Sequence, residues 1–536
     1  MQQKLLTPLL IICFLILSLH KKISGQQLNY PLNFRTTQQV NSLINKSDSA
    51  SHFSVKPVSG NDLHLLSISD SILNNPARDK NYLAKHKASW LYRKLRKEDF
   101  IDFKTGGFRL RVNPLFLFEY KNVQNINETY YTNTRGIEFK GDIGQKFSFY
   151  SSFYENQSRF VDYISDYIME HRVVPGQGAA KILNDNKYDY SRASAYLTVS
   201  PNKFVNIQAG HSKHFIGEGY RSLLLSDNSF NYPFLKFSID FGQFQYMVLW
   251  NQYQLFEGAY YNYHYRKYGA INFLSWSPKA GFELALFEGV TWPGNTADNP
   301  HKFTANFFNP IILFRTFQYG LKAEQNMVLG LNLRKRIGKF EQFYGQIVLD
   351  DLKINDSDKN KYGFQLGVKS FDLFRDKMNR QNLFVLAEYN QVAPFTYSHS
   401  ETLQSYSHYN QPIAHPAGAG LKEFVGMANY QFGDLFVEFK MNHLVNSLDT
   451  LGSNFGSNIF LPDDGTGTDG SQIGQGIKNI TQNIYASFGL IVNPVTNMKI
   501  YIEIQKRTVE NTVGTKKNLF FSFGLKTDLN NYYYDF

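Results

Sequence analysis

The polar residues best suited to chemistry lie in one segment, from Gly210 to Asn228. Arg221 carries a planar fork of donors that suits a carboxylate, a phosphate or neighbouring sugar hydroxyls. An Asp-Asn pair can fold an Asx turn and present acceptors, and Gly217 and Gly219 allow close approach of the backbone. The candidate ligand-binding residues are therefore Tyr220, Arg221, Ser226, Asp227 and Asn228.

Two interpretations of these residues remain open. They could hold the segment folded as a plug inside a larger structure. Alternatively, Arg221, Asp227 and Asn228 could bind sugar hydroxyls or an anionic polymer beside the aromatic Tyr220 and Phe230. The same residue types serve both purposes, so the sequence alone does not choose between them.

A catalytic interpretation is also possible, because His211, His214 and Glu218 include a general base and a group that could orient it. However, three polar residues within eight positions do not define a catalytic triad. We therefore expect no enzyme, and a hydrolase stays an alternative.

Metal binding is suggested at two places and supported at neither. His399, His408 and His415 crowd one loop, but their spacing matches no usual zinc pattern. The stretch from Asp463 to Gly470 alternates acidic residues with glycine, yet it lacks the bidentate glutamate of a calcium loop. The sequence therefore predicts neither a metal nor a cofactor.

The first residues predict export. Lys4, the apolar run from Leu5 to Leu19 and the small residues ending at Gly25 form a secretory signal peptide, residues 1–25. The run is shorter than the roughly 20 residues of a spanning helix. Its removal near Gly25 takes away Cys13, the only cysteine, and lowers the formal net charge from +11 to +8. This mildly basic balance predicts no nucleic-acid partner.

From about residue 106 onward, apolar and polar residues alternate with a period of two. Ile137, Phe139 and Ile143, for example, alternate with Glu138 and Lys140. This period places one set of side chains on each face of a strand. The same pattern recurs at residues 282–287, 327–334, 435–442 and 498–505.

The connections between these strands alternate in length. Longer polar or glycine-rich stretches occupy residues 155–190, 211–233, 290–322, 391–420 and 445–481. Transmembrane barrels combine short periplasmic turns, long external loops and an even number of strands. We therefore predict an all-β fold, a transmembrane antiparallel β-barrel of about eighteen strands over residues 106–536; a soluble all-β secreted protein is the alternative. The tight turns are Gly144-Gln145-Lys146, Pro201-Asn202-Lys203, Gly242-Gln243, Pro278-Lys279, Gly338-Lys339, Gly433-Asp434 and Asn493-Pro494.

Composition agrees with a barrel. Aromatic residues make up 16% of the chain, with 47 Phe and 35 Tyr, which suits girdles at the two membrane interfaces. A mean hydropathy of −0.36 suits a polar lumen and long loops. The last strand, around Leu519 to Leu525, is followed by the terminal aromatic Phe536, which resembles the assembly signal of outer-membrane proteins in general.

Residues 26–105 show little strand alternation and are predicted to form a mixed periplasmic segment, packed under or partly into the barrel mouth. A helix is predicted to begin at Asn75-Pro76, where a cap precedes proline at the first helical position. It contains the basic cluster Arg93, Lys94, Arg96 and Lys97. We expect this cluster to be a solvated helix face near membrane head groups.

The segment from Gly210 to Asn228, GHSKHFIGEGYRSLLLSDN, resembles the signature of the RemB family of gliding-motility barrels. Weaker likenesses to that family are HFSVKP from His52, FYSSFYENQ from Phe149, VVPGQG from Val173, FNPIILFR from Phe308, SHYNQPIAHPAGAG from Ser407, and the closing YYYDF. The glycines at 217 and 219 and the LLLSDN element also resemble the Wzi capsule-assembly family, more loosely.

The resemblance implies a non-enzymatic barrel of the outer membrane that acts in gliding motility or in the organisation of surface polysaccharide. Its implied partners are outer-membrane lipid and lipopolysaccharide, a surface polysaccharide, and other motility or surface proteins. The Wzi-like fold that it implies, an eighteen-stranded barrel, agrees with the strand count. A passive porin-like channel for small solutes is a further alternative, since eighteen strands can leave a water-filled lumen.

Overall fold

The computed structural model describes residues 28–60, 89–183, 186–257, 263–294, 305–315, 325–351, 360–374, 381–449, 453–463 and 472–536. The predicted signal peptide, the predicted helix start at Asn75 and most of the calcium-like loop lie outside these ranges. Within them, no helix is both long and apolar enough to cross a membrane.

Over the described residues, eighteen antiparallel strands close into a barrel, because Gly514–Thr527 pairs with Phe108–Val123. This confirms the predicted fold and strand count. Closure pairs the backbone of every wall strand on both sides, which a structure in lipid requires. The wall strands are β3 Phe108–Val123, β4 Thr129–Ile143, β5 Phe147–Arg159, β7 Lys187–Val199, β8 Val205–Ser212, β10 Tyr232–Phe241, β11 Phe244–Glu257, β12 Tyr263–Trp276, β13 Phe282–Pro293, β14 Asn326–Arg336, β15 Glu341–Asp351, β16 Lys361–Ser370, β17 Gln381–Val392, β20 Leu421–Phe432, β21 Leu435–Leu448, β22 Ile477–Asn493, β23 Met498–Asn511 and β24 Gly514–Thr527.

Six shorter strands accompany the wall. Two of them pair with wall strands and lengthen the wall locally, and the other four form two antiparallel pairs away from the wall. They are β1 Val55–Lys56, which pairs with β9 Phe215–Ile216; β2 Ile101–Thr105, which pairs with β3; β6 Lys181–Ile182, which pairs with β7; and β18 Ser407–His408, which pairs with β19 Gln411–Pro412.

The predicted alternation sorts the side chains of the wall between lipid and lumen. In β4, Ile137 and Phe139 are 39% and 37% exposed on the outer surface, whereas Glu138 between them is 3% exposed and faces the lumen. The outer belt is therefore apolar, and the charged residues of the strands meet inside the barrel.

The seven predicted tight turns all connect wall strands at the same end of the barrel. The longer connections lie at the other end, although residues 124–128 and 512–513 make short links there as well. Loop length identifies the end with the tight turns as periplasmic and the other as external.

The N-terminal segment lies across the periplasmic mouth and enters the lumen. Its mouth helix, Phe34–Lys46, begins at Asn33, whose Oδ1 accepts from the backbone N–H of Thr36 at 2.7 Å. Arg35 donates to Asn497 Oδ1 at 2.6 Å, and Asn45 donates to the carbonyl of Lys339 at 3.1 Å, so the helix is held by turns on two sides of the mouth. The chain then reaches inward to β1.

The predicted basic helix is a short rim helix, Trp90–Arg96, capped by the Ser89 hydroxyl. Arg96 forms an ion pair of 3.0 Å with Asp434, and Asn493 donates to the carbonyl of Lys94 at 3.1 Å, which fixes the helix at the periplasmic rim. The division at residue 105 stays a prediction; β2, which ends there, continues the wall beside the start of β3.

The C-terminal residues leave the wall of the barrel after its last strand. The last strand ends at Thr527, and the following residues turn into the lumen, so Phe536 is not the end of a wall strand. Asp528 pairs with Lys499 at the periplasmic end, while Phe536 contacts Tyr167 beyond the external end of the wall. Nine extended residues span about 30 Å, which is the thickness of the hydrocarbon core. The C-terminal tail, residues 528–536, therefore runs the height of the barrel.

One external connection folds back over the outside of the barrel. Residues 305–315, the outer strap, cover the outward face of β11 to β14: Trp250 donates to the carbonyl of Phe307 at 3.1 Å, and Tyr246 donates to that of Pro310. The strap covers Glu288, which the strand register places on the same outer face as the lipid-exposed Leu286. The apolar surface is restored by the exposed strap residues Phe308, Ile311 and Phe314.

Candidate functional site: a plug that closes the lumen

The segment from Lys213 to Asn231 lies inside the barrel between β8 and β10, and almost all of it is buried. Two glycines allow it to approach the wall. Gly217 has a φ of 139°, and a Cβ there would lie 2.4 Å from Gln346 Nε2; a Cβ at Gly219 would lie 2.2 Å from Glu388 Oε2. No other residue fits at these two positions without displacing the wall side chains.

Arg221 lies at the centre of the plug with 1% of its surface exposed. Its Nε and Nη2 donate to the two carboxylate oxygens of Glu423 at 3.0 and 2.7 Å, and its Nη1 lies 3.1 Å from Asp535 Oδ1. The guanidinium also stacks over the Tyr220 ring at 4.8 Å. One arginine thus joins the plug to the wall and to the C-terminal tail.

Glu218 forms a second charged centre. Its carboxylate lies 3.0 Å from Lys369 of the wall and 3.7 Å from Lys56 of the N-terminal segment. Burial alone would raise the pKa of Glu218, but Lys56, Lys369 and Arg334 outweigh it and lower the pKa to about 2. The carboxylate is therefore ionised at neutral pH, and it ties the wall and the N-terminal segment to the plug.

The C-terminal tail binds the far end of the plug. The Tyr533 hydroxyl donates to Asp227 Oδ1 at 2.7 Å, and Asn531 donates to Asp227 Oδ2 at 2.9 Å. The Tyr220 hydroxyl donates to Asp535 Oδ2 at 2.9 Å. Burial raises the pKa of Asp227. The positive charge of Lys213 and the two hydrogen bonds from the tail lower this pKa and so offset part of the increase.

A loop from the external end closes over the plug. The backbone N–H of Ser226 donates to the carbonyl of Ile413 at 2.7 Å, and Asn228 donates to the carbonyl of Pro412 at 3.2 Å. Just before these polar contacts in the chain, Leu223, Leu224 and Leu225 are fully buried in the largest apolar cluster of the barrel. Apolar packing and paired charge therefore both exclude water here.

All five predicted ligand-binding residues thus lie together in the plug, and each contacts other parts of the chain. Segments that carried the family resemblance meet there too: HFSVKP supplies Lys56, the loop 407–420 supplies Ile413, and the closing YYYDF supplies Asp535.

The histidines and the glutamate that were weighed as catalytic or metal candidates have separate partners. His214 faces the Tyr232 hydroxyl at 3.3 Å, His211 faces the carbonyl of Ala193 at 3.1 Å, and Glu218 is held by its lysines. His408 lies 3.0 Å from the carbonyl of Asn231, and His415 pairs with Glu423 at 2.8 Å. In the described ranges, no cluster of three or more His, Cys, Asp or Glu side chains could hold a metal ion.

Sequence reasoning missed the wall residues that complete the site. Glu423, Lys369 and Glu388 are buried in the lumen and bind the plug, yet each occupies an ordinary inward position of an alternating strand. The only signal in the sequence that could have identified these residues is a charged residue at an inward position of a strand, in a chain that also contains a loop with an apolar run.

A cavity of about 270 Å³ remains between the C-terminal tail and the wall of β3 to β5, β7 and β20 to β24. Several of its charges are paired: Lys121 lies 3.4 Å from Glu119, and Lys440 lies 2.8 Å from Asp535. Tyrosines line much of the remainder, namely Tyr130, Tyr131, Tyr154, Tyr190, Tyr220, Tyr485, Tyr501, Tyr532, Tyr533 and Tyr534.

At the external end, the cap helix Asp162–His171 meets the end of the tail in an aromatic patch. Tyr167 lies 4.9 Å from Phe536 and 4.1 Å from His171 between ring centroids, and His171 lies 5.7 Å from Phe460. All four side chains are half-buried. The patch therefore offers ring surface at the external mouth.

No protein-family model and no curated protein matches the sequence. Among solved structures, the chain is similar to Wzi, an outer-membrane protein involved in group 1 capsule assembly in Escherichia coli and described as a carbohydrate-binding β-barrel. The identity is 13% and the TM-score 0.56, over 94% of this chain and 100% of that one.

Two further structures are more distant. OprD from Pseudomonas aeruginosa has 12% identity and a TM-score of 0.41 over 77% of this chain and 92% of its own. A BenF-like porin from Pseudomonas fluorescens has 8% identity and a TM-score of 0.41 over 78% and 98%. The looser resemblance to Wzi is confirmed at the level of the fold, which is that of outer-membrane barrels. The resemblance to RemB stays a prediction.

Proposed function

We propose that this protein is a non-enzymatic outer-membrane barrel that binds a surface polysaccharide at its external mouth, with the lumen held closed. The observation that carries the proposal is the buried Arg221, which contacts two carboxylates and has no room for a polymer. A long glycan can reach only the outer end of such a barrel.

The aromatic patch is the surface that we assign to the polymer. Aromatic rings pack against the apolar faces of sugar rings, and polar groups beside them bind the hydroxyls. The patch joins Tyr167, His171, Phe460 and Phe536, and the exposed carboxylates of Asp166 and Glu170 lie on the same cap helix.

In this proposal, Tyr220, Arg221, Ser226, Asp227 and Asn228 hold the plug and do not touch the polymer. Their effect on binding is indirect, because the plug fixes the tail and the tail supplies Phe536 to the patch. The full-length likeness in fold to a carbohydrate-binding barrel supports the assignment. Participation in gliding motility, with other surface proteins as partners, rests on the sequence resemblance alone.

The test is a binding assay between the purified protein in detergent and surface polysaccharide extracted from cells that carry it. Tyr167→Ala and Phe460→Ala should each weaken binding about tenfold, which corresponds to about 1.4 kcal/mol. Phe204→Ala is the matched control, because Phe204 is exposed at the periplasmic rim. Unchanged binding by both patch variants would refute the assignment of the patch.

A porin-like channel is the second candidate, because the tyrosine-lined cavity leaves space beside the tail. Conductance in a planar bilayer separates the two functions. A plugged binding protein should give no steady ionic current, whereas an open path through the cavity should give one in the wild-type protein.

A further inference from the structure

The rim foot consists of the rim helix Trp90–Arg96 and the strand Ile101–Thr105 that follows it. Its apolar side chains are unusually exposed: Trp90 is 57% and Leu91 59% exposed, and Leu95, Phe100 and Phe103 are each close to half exposed. Side chains of this size are rarely left exposed together on a surface that faces only water.

The rim foot continues the lipid-facing belt of the barrel. Register places Ile101 opposite Val112 and Phe103 opposite Leu110, on the face where Phe139 and Ile143 point away from the lumen. Trp90 packs edge-on against Phe100 at 6.2 Å, which extends the same surface to the helix. The exposed apolar residues of the foot are therefore contiguous with a surface that lipid covers.

Basic side chains border this apolar surface. Residues 93–99 contain four basic residues, Arg93, Lys94, Arg96 and Lys97, against two acidic ones, Glu98 and Asp99. The side chain of Arg93 is 45% exposed even though it lies 3.6 Å from Glu98. Helices that lie in the membrane interface combine apolar residues with Lys and Arg in this way, and tryptophan favours the level of the head groups.

We infer that the rim foot binds phospholipid in the periplasmic leaflet of the outer membrane, with Trp90, Leu91 and Leu95 at the boundary of the acyl chains and Arg93 at the phosphate. The foot would then hold the periplasmic rim at a fixed depth. The inference is independent of what the external mouth binds.

The test uses the full mature chain in nanodiscs of phosphatidylcholine and phosphatidylglycerol, with three single-tryptophan variants. One retains Trp90, one retains Trp276, which is exposed on the outer wall at the same rim, and one retains the buried Trp292; the other three tryptophans become Phe in each. Fluorescence quenching is measured with phospholipid brominated near the head group and with aqueous iodide.

Trp90 should be quenched by the brominated lipid at least half as strongly as Trp276, and more than Trp292. Quenching of Trp90 by iodide but not by brominated lipid would overturn the inference, because the foot would then lie in water. Protection from both quenchers would overturn it as well, since a protein surface would then cover the foot.

A second variant tests the helix itself. Leu91→Ser combined with Leu95→Ser should reduce lipid quenching of Trp90 at least twofold, while the matched change Leu183→Ser on an external loop should leave it unchanged. Retention of the folded band on unheated gels shows that the barrel has formed in every variant. Equal quenching with and without the two leucines would refute the role of the helix.

Discussion

The guanidinium of Arg221 and the carboxylate of Glu423 face each other inside the closed lumen, with two parallel hydrogen bonds of 3.0 and 2.7 Å and almost no exposure of either side chain. Glu423 belongs to the wall and Arg221 to the plug, so this pair fastens the plug to the wall. Bidentate geometry of this kind fixes the orientation of the two side chains and also stabilises their contact.

Arg221→Met should loosen the plug, because it leaves the carboxylates of Glu423 and Asp535 buried without their arginine. Loss of one partner of a buried pair costs about 3–5 kcal/mol. The free energy of unfolding in urea should fall by that amount, and channel openings should appear in planar bilayers. Arg109→Met is the control, since its pair with Asp102 is half exposed at the rim. An unaltered closed state in Arg221→Met would contradict the role of the pair.

Truncation after Thr527 should leave barrel assembly intact and release the plug. The last wall strand is complete at that residue, and the tail contributes partners to Asp227 and Arg221. Insertion into the outer membrane is measured by cell fractionation, and plug release by conductance. If Phe536 acts as an assembly signal, the truncated protein will instead fail to reach the membrane, and Phe536→Ala alone will show the same defect.

Acid should open the plug in a defined range of pH. The pKa of Glu218 falls from about 4.5 to about 2 on folding, so below pH 4.5 the unfolded chain binds more protons than the folded one, and stability decreases as the pH falls to about 2. The loss is on the order of 3 kcal/mol. Conductance of the wild-type protein should rise across this range.

Glu218→Gln provides the comparison, because the amide does not titrate. Its conductance should depend less on pH between 4.5 and 2 than that of the wild-type protein, even if its basal value is higher. The pKa of Asp535 is also lowered, to about 2, where Arg221 and Lys440 outweigh burial, so part of the pH dependence should persist in the variant. An identical profile for both proteins would exclude Glu218 as a contributor.

The outer strap should detach when its arginine is removed. Arg315 lies 4.0 Å from Glu288 on the lipid-facing wall and donates to the carbonyls of Phe307 and Asn309 at 3.1 and 2.8 Å. Arg315→Met should destabilise the strap by about 2.5–3.5 kcal/mol, the cost of a charged side chain within the membrane. Brominated lipid should then quench Trp250, which the strap covers, more strongly.

Two variants make this result specific to the strap. Lys335→Met, an exposed change near the periplasmic rim, should leave quenching of Trp250 unchanged. Glu288→Gln added to Arg315→Met should restore part of the protection, because the uncompensated charge is gone. Equal quenching in Arg315→Met and the wild-type protein would show that the strap is held by its apolar contacts alone.

The sequence by itself determined the wall. Alternation such as Ile137, Glu138 and Phe139 follows from the pleat of a strand, whose neighbouring side chains point to opposite faces, and the spacing of turns such as Gly242-Gln243 follows from the length of chain that crosses a membrane. Both are local properties, so strand number and topology could be predicted. The segment from Gly210 to Asn228 could be identified as special from its glycines and polar residues.

Only the tertiary structure decided what fills the barrel. Arg221, Glu423 and Asp535 lie far apart in the chain, and no local pattern relates an arginine in a loop to an inward glutamate of a strand or to the penultimate residue. The path of the tail could not be predicted for the same reason: the aromatic residues of YYYDF suit a strand end as well as a lumen lined with tyrosine. Their position depends on which buried partners are available, and those partners exist only once the barrel has closed.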